Sequence, residues 1–260
     1  MKTLRIGFAL VIASVWASAA AQAPPSFAGT WKLDLAKSQL TGQTISIDKK
    51  PSGVMHFDAQ GFAYDFDLTG KDFPTPDGGT TSWREVSSTT WEATNKINGK
   101  AIATYRLTLQ GDSISATMKA IKPDGSALEQ TSKWKRVSGG PGFLGKWKST
   151  DVKGAPTTLQ IALEGANGIM VSFPEFQMTC KGAFDGKDYT LMGAGANLKQ
   201  TLAFEKTGPN SITITTKLDG KPFYVEVLTL SADGKTLTDE GNPVAVKEPV
   251  KAVYERSQAK

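Results

Sequence analysis

The chain has 260 residues, enough for two small domains or one large one. Hydrophobic residues make up 39%, charged residues 21%, and there are 26 glycines and 13 prolines, as expected of a turn-rich globular protein. Its net charge of +5 comes from bases scattered singly among acids, which excludes the clustered Lys/Arg stripe of a nucleic-acid groove, and its one cysteine, Cys180, excludes an intramolecular disulfide.

Residues 1–23 read as a secretory signal peptide. Lys2 and Arg5 supply the positive start, Ile6 to Trp16 the apolar run, and Ala17-Ser18-Ala19-Ala20-Ala21 the small residues that cleavage needs. That run is well short of the ~20 residues of a membrane span, and no other stretch offers one. The expectation is an exported protein, periplasmic or secreted, with no transmembrane anchor in the mature chain. A free thiol survives an oxidising compartment best when buried, which predicts Cys180 in a core.

The segment 27–137 alternates. Phe62, Tyr64, Phe66 and Leu68 share one strand face, as do Tyr105, Leu107 and Leu109, and then Ile114, Ala116 and Met118. Turn pairs stand between such runs, at Asp77-Gly78, Asn98-Gly99, Gly111-Asp112 and Asp124-Gly125. The spacing predicts an antiparallel meander. Residues 138–142, Ser-Gly-Gly-Pro-Gly, read as a linker.

The segment 143–257 repeats the first. Phe27-Ala28-Gly29-Thr30-Trp31-Lys32 returns as Phe143-Leu144-Gly145-Lys146-Trp147-Lys148, at an offset of 116 (147 − 31). Gly70-Lys71-Asp72-Phe73 matches Gly186-Lys187-Asp188-Tyr189 at the same offset, and Asn98-Gly99-Lys100 matches Asp219-Gly220-Lys221 at 121. Each segment closes on an aromatic residue two before an arginine: Trp134 and Arg136, then Tyr254 and Arg256. Landmarks in the same order with small drift indicate an internal duplication. Each copy accommodates about eight antiparallel strands, a number that can close into a barrel.

A glycine, a tryptophan two residues on, and a distant closing arginine resemble the signature of the exported bacterial lipocalin-like (calycin) β-barrels. The phrase Gly29-Thr30-Trp31-Lys32-Leu33-Asp34-Leu35-Ala36-Lys37-Ser38 is similar to the opening of such proteins. The resemblance implies an all-β fold of two tandem up-and-down barrels, and binding of small, often apolar molecules. It also implies a floor lock in each, made by Gly29, Trp31, Trp134 and Arg136 in the first and Gly145, Trp147, Tyr254 and Arg256 in the second. The chain departs from the family in lacking a Thr-Asp-Tyr loop motif and a helix after the last strand.

Other motifs are weaker. Gly140-Pro141-Gly142-Phe143-Leu144-Gly145-Lys146 has P-loop spacing, but Trp147 stands where a magnesium-binding hydroxyl is required and no helix follows. Asp65-Phe66-Asp67-Leu68-Thr69-Gly70 starts like a calcium loop, but Pro76 takes the place of the closing glutamate. His56, the one histidine, has Asp58 two residues on; its counterpart at offset 116 is Ser172, and there is no nucleophile elbow. No metal or cofactor is expected.

The expected function is non-catalytic binding of a small apolar or amphipathic ligand by a monomer. The alternative is a structural or interaction module of the cell envelope with filled barrels, and a hydrolase is a distant third. At offset 116 the ring-bearing face Phe62 to Leu68 becomes Met178, Cys180, Gly182 and Phe184. Loss of ring volume predicts a ligand cavity in the second segment, lined by these residues and Met192, with the first segment mainly structural.

Overall fold

The computed structural model describes residues 26–154, 157–193, 199–245 and 249–257. The expected signal peptide therefore lies outside the described residues. Strands dominate, in two nearly closed barrel-like sheets of eleven and ten strands. The described residues hold one short 3₁₀ turn, Pro174–Phe176, and among them no helix is long and apolar enough to cross a membrane.

The ten-stranded sheet begins with β2 (Thr44–Lys49), β3 (Met55–Ala59), β4 (Phe62–Phe66), β5 (Thr69–Pro74) and β6 (Thr80–Ser87). It continues through β7 (Thr90–Ile97), β8 (Lys100–Gln110), β9 (Ser113–Ile121), β10 (Ala127–Ser138) and β11 (Gly145–Lys153). The eleven-stranded sheet takes β1 (Gly29–Leu33), then β12 (Thr158–Glu164), β13 (Gly168–Phe173), β14 (Met178–Ala183), β15 (Tyr189–Thr190) and β16 (Met192–Gly193). It is completed by β17 (Gln200–Gly208), β18 (Ser211–Leu218), β19 (Lys221–Leu230), β20 (Thr236–Pro243) and β21 (Val250–Arg256). All pairings are antiparallel. The sheet ends β4 and β5 touch without a ladder between them, and β14 comes against β15 and β17 in the other sheet.

Each sheet exceeds the expected eight strands. The physical reason is local. Gln60 (φ 56°) and Gly61 (φ 101°) break the β3–β4 run with a left-handed turn, and the Asp67 carboxylate accepts from the Thr69 N–H to break β4 from β5. Long alternating runs are thereby divided into short strands. Asn98 (φ 52°) with Gly99 (φ 74°), and Asp219 (φ 51°) with Gly220 (φ 75°), form the left-handed hairpin turns that their sequences predict.

The sheets do not follow the two segments. β1, which opens the first, pairs with β12 and β21, with Trp31 opposite Leu159 on one side and Arg256 on the other. β11, which opens the second, pairs with β10 and β2, with Trp147 opposite Arg136 and Ile45. The equivalent opening strands are thus exchanged. Residues 138–142 are not a free joint either. Ser138 ends β10, and residues 139–144 are the short connection that folds β11 back on it, which Arg136 holds by donating to the carbonyls of Gly142 (2.7 Å) and Leu144 (2.8 Å). A connection this short favours the adjacent strand, because little loop-closure entropy is lost.

Two separate apolar cores result. One gathers Trp31, Leu159, Ile161, Ile169, Val171, Cys180, Phe204 and Leu237; the other gathers Ile47, Phe66, Trp83, Trp91, Leu107, Ile114, Phe143 and Trp147.

Candidate functional site

Each closing arginine stacks on the opening tryptophan of the other segment. Arg136 Cζ lies 4.1 Å from the centre of the Trp147 ring, and Arg256 Cζ lies 4.2 Å from that of Trp31. Each indole N–H donates to the carbonyl four residues back, Trp147 to Phe143 and Trp31 to Phe27, both at 2.9 Å. Gly29 (φ 154°) gives room to the guanidinium, since a Cβ there would come 2.5 Å from Arg256 Nη1. At Gly145 (φ 128°) a Cβ would meet the Ser138 carbonyl oxygen at 2.3 Å.

Above the Arg136 floor the ten-stranded barrel opens into a cavity of about 350 Å³. The inward face of β10 climbs from Arg136 through Trp134 and Ser132 to Gln130, every second residue, and the last three line the cavity. β3 and β4 add Phe57, Ala59, Phe62 and Tyr64; β6 and β7 add Trp83 and Asn95. β8 and β9 add Tyr105, Leu107, Ile114, Ala116 and Met118, and Gln43, Thr44, Ile45 and Gln60 complete the wall. No side chain of that wall is an acid, a lysine, an arginine or a histidine.

The rings support one another. Phe57 stacks on Tyr64 at 5.1 Å between centroids, Phe62 meets Tyr64 edge-on at 6.0 Å, and Phe66 packs on Trp83 at 4.7 Å. Trp134 Nε1 donates to Ser132 Oγ at 2.8 Å, and Thr81 Oγ1 donates to the Asn95 carbonyl at 2.8 Å. Burial pushes the Tyr64 and Tyr105 phenols above their ordinary range, so both stay neutral hydrogen-bond donors at any physiological pH. Trp83 is 4% exposed and its indole N–H has no partner.

The residues expected to line a cavity in the second segment are placed otherwise. Cys180 is wholly buried, with its thiol donating to the Tyr189 carbonyl at 3.5 Å, and burial pushes its pKa up to about 11. Gly182 leaves no vacancy, because the Tyr189 ring covers it; a Cβ there would lie 2.5 Å from that ring. Met178 and Phe184 pack against the apolar core, Phe184 also under the Lys206 ammonium at 4.6 Å. Met192 is 57% exposed. The Tyr189 ring, from another strand, thus stands over the position where a ring was lost. Of the residues assigned to the floors, Trp134 lines the cavity and Tyr254 packs against the other core.

The eleven-stranded barrel has a polar interior end that the sequence reading did not single out. Glu226 sits opposite Gly241, and Asp239 lies two residues before Gly241 on the same face. Burial first, and Asp239 second, raise the Glu226 carboxyl well above its usual range. Burial first, and Glu240 second, push Asp239 up to about 7, and its Oδ1 has no partner. Both carboxyls raise the pKa of the Tyr254 phenol after burial does. An alternation reading in which acids face outward hides such a pair.

His56 pairs with Asp65 across β3 and β4, Nδ1 to Oδ1 at 2.8 Å, while Asp58 accepts from the Gly61 N–H at 2.7 Å. Lys50 shares Asp65. Among the described residues no group of three or more His, Cys, Asp or Glu could hold a metal ion. No family model matches the chain, and no curated protein matches it.

Proposed function

We propose that this protein is an exported, non-catalytic binding protein that holds one small, uncharged, apolar or amphipathic molecule inside the ten-stranded barrel. The observation behind this reading is the cavity of about 350 Å³, walled by rings, aliphatic chains and neutral amides. Ligand pockets begin at about 300 Å³ and are lined in this way, by apolar side chains with a few placed polar groups. A charged ligand would lose its hydration there and find no counter-charge, a penalty of several kcal/mol. Resemblance to lipocalin-like barrels supports the same class of function, and the signal-peptide pattern of residues 1–23 supports export. The eleven-stranded barrel, with its packed core, fits a structural role.

Native mass spectrometry of the protein recovered from its own host tests this reading. A non-covalent adduct of one small neutral molecule is expected, and it should be missing from the Ala116→Trp variant, whose indole enters the cavity. An adduct that persists in a folded Ala116→Trp protein would place the ligand elsewhere.

A further inference from the structure

We propose that the eleven-stranded barrel carries a site of its own, for a small primary amine bound as its ammonium ion, with Glu226 and Asp239 as the counter-charges. This does not rest on the reading of the other barrel. Strands counted from the two floors run in the same order: β11, β10, β9 and β8 from Trp147, and β1, β21, β20 and β19 from Trp31. Leu107 on β8 stands opposite Ala116 on β9, and Ala116 opposite Ser132 on β10. Leu228 on β19 stands opposite Asp239 on β20, and Asp239 opposite Ala252 on β21. Asp239 therefore takes the place of Ala116. Glu226, two residues before Leu228, takes that of Tyr105, two before Leu107. Tyr105 and Ala116 both line the cavity of the ten-stranded barrel. Two acids thus stand inside one barrel where the other has a phenol and a methyl group.

Neither acid is answered by the protein. Among the described residues no N–H or O–H donates to either carboxyl, and no lysine, arginine or histidine acts on them. Protein surrounds Glu226 on every side, yet the residue keeps accessible surface, so that surface faces the barrel interior. Enclosed carboxyls ordinarily have partners, and a pair without any is unfavourable. A cation between them supplies the missing partner. Tyr224 and Tyr254 complete its surroundings: both phenols feel Glu226 and Asp239, and burial keeps both protonated. Their rings attract a cation, and their oxygens accept from N–H groups. An ammonium group has three donors to place, which two carboxylates and a phenol can accept. A calcium ion needs about six to eight oxygens, and among the described residues no group of three or more His, Cys, Asp or Glu could hold a metal ion. Ile214, opposite Glu226, and Leu228, opposite Asp239, give an alkyl chain an apolar seat. The titratable groups around the pair are Tyr224 on β19, Glu240 on β20, Tyr254 on β21 and Glu175 on the 3₁₀ turn; β18 presents Ile214 and Thr216, which do not titrate. With the site empty, burial holds protons on the pair, so an entering ammonium displaces them.

The test is isothermal titration calorimetry on the full chain, with propylammonium chloride and, as the uncharged probe of equal length, propanol. The amine should bind and the alcohol should not. An alkylammonium keeps its charge between about pH 5 and 7, so its affinity should rise about tenfold per pH unit over that range as the acids lose a proton. This series uses the unaltered protein and does not depend on any variant folding. Asp239→Asn and Glu226→Gln keep the shape and remove the charge, and each should weaken amine binding at pH 7 by about tenfold or more. Ala116→Trp, which fills the other cavity, should bind the amine as the parent chain does. No amine binding, equal binding of propanol, or an affinity that ignores pH and both acid variants would overturn the proposal. So would loss of binding in Ala116→Trp, which would place the amine in the ten-stranded barrel, or tighter binding of calcium chloride, which would make the site one for a metal ion.

Discussion

At Arg136 the guanidinium is fixed from several sides: Asp112 at 2.7 Å, the carbonyls of Gly142 and Leu144, and the Trp147 face beneath. Arg256 is held in the same way, by the Gly234 and Ala28 carbonyls and the Trp31 face. Replacing Arg136 by alanine should destabilise the ten-stranded barrel by about 1–3 kcal/mol, through lost stacking, stem packing and hydrogen bonds together. Arg256→Ala should do the same to the other barrel, and denaturant curves read these losses. Because the pairs are crossed, Arg136→Ala should perturb the Trp147 indole and leave that of Trp31 unchanged. The opposite pattern would mean that each arginine stacks on the tryptophan of its own segment.

Asp239 predicts a pH dependence. Its pKa is about 7 in the fold against an ordinary 3.8, so folding takes up protons between those values. A raised carboxyl weakens the fold as pH climbs through that window, and the penalty is complete above about 7. Burial is the main cause for both carboxyls, with Glu240 adding to the rise at Asp239 and Asp239 to that at Glu226; the buried Tyr224 and Tyr254 phenols beside them are raised as well. Asp239→Asn should therefore be more stable than the parent chain near pH 8 and similar to it near pH 4, an arithmetic of linked protonation. Urea titrations at the two pH values measure it. Equal stabilities throughout would show that the carboxyl is solvated.

At the scale of elements, the exchange of β1 and β11 could not have been read from the chain. Gly29-Thr30-Trp31 and Gly145-Lys146-Trp147 offer the same glycine and indole, so either fits either socket. The alternation of Phe62 to Leu68, and the turns at Asn98-Gly99 and Asp219-Gly220, were legible because each depends on residues close in sequence. Which barrel receives an opening strand depends instead on the connections, and the short return from β10 to β11 decides it. Engineered disulfides test the exchange. Thr30 stands opposite Gln160, so Thr30→Cys with Gln160→Cys should close within a monomer. Without exchange, Thr30 would take the place of Lys146 opposite Ser46, and Thr30→Cys with Ser46→Cys would close instead.

For the whole molecule, the two barrel-like sheets enclose different interiors. One has a packed apolar core with an acidic interior end, and the other has an uncharged, ring-lined cavity. The inward direction of the cavity rings was legible in the sequence, but the space between them was not. Volume depends on strand number and tilt, and on whether a distant ring such as Tyr189 covers a glycine. Indole N–H resonances report on both interiors at once, since Trp83 and Trp134 line the cavity while Trp31 belongs to the other core. The most direct measurement is a proton–nitrogen correlation spectrum of the protein titrated with propionylnaphthalene. The Trp83 and Trp134 indole peaks should move together and saturate at one equivalent, with the Trp31 peak unmoved. Saturable movement of Trp31 with Trp83 and Trp134 fixed would contradict a binding site in the ten-stranded barrel.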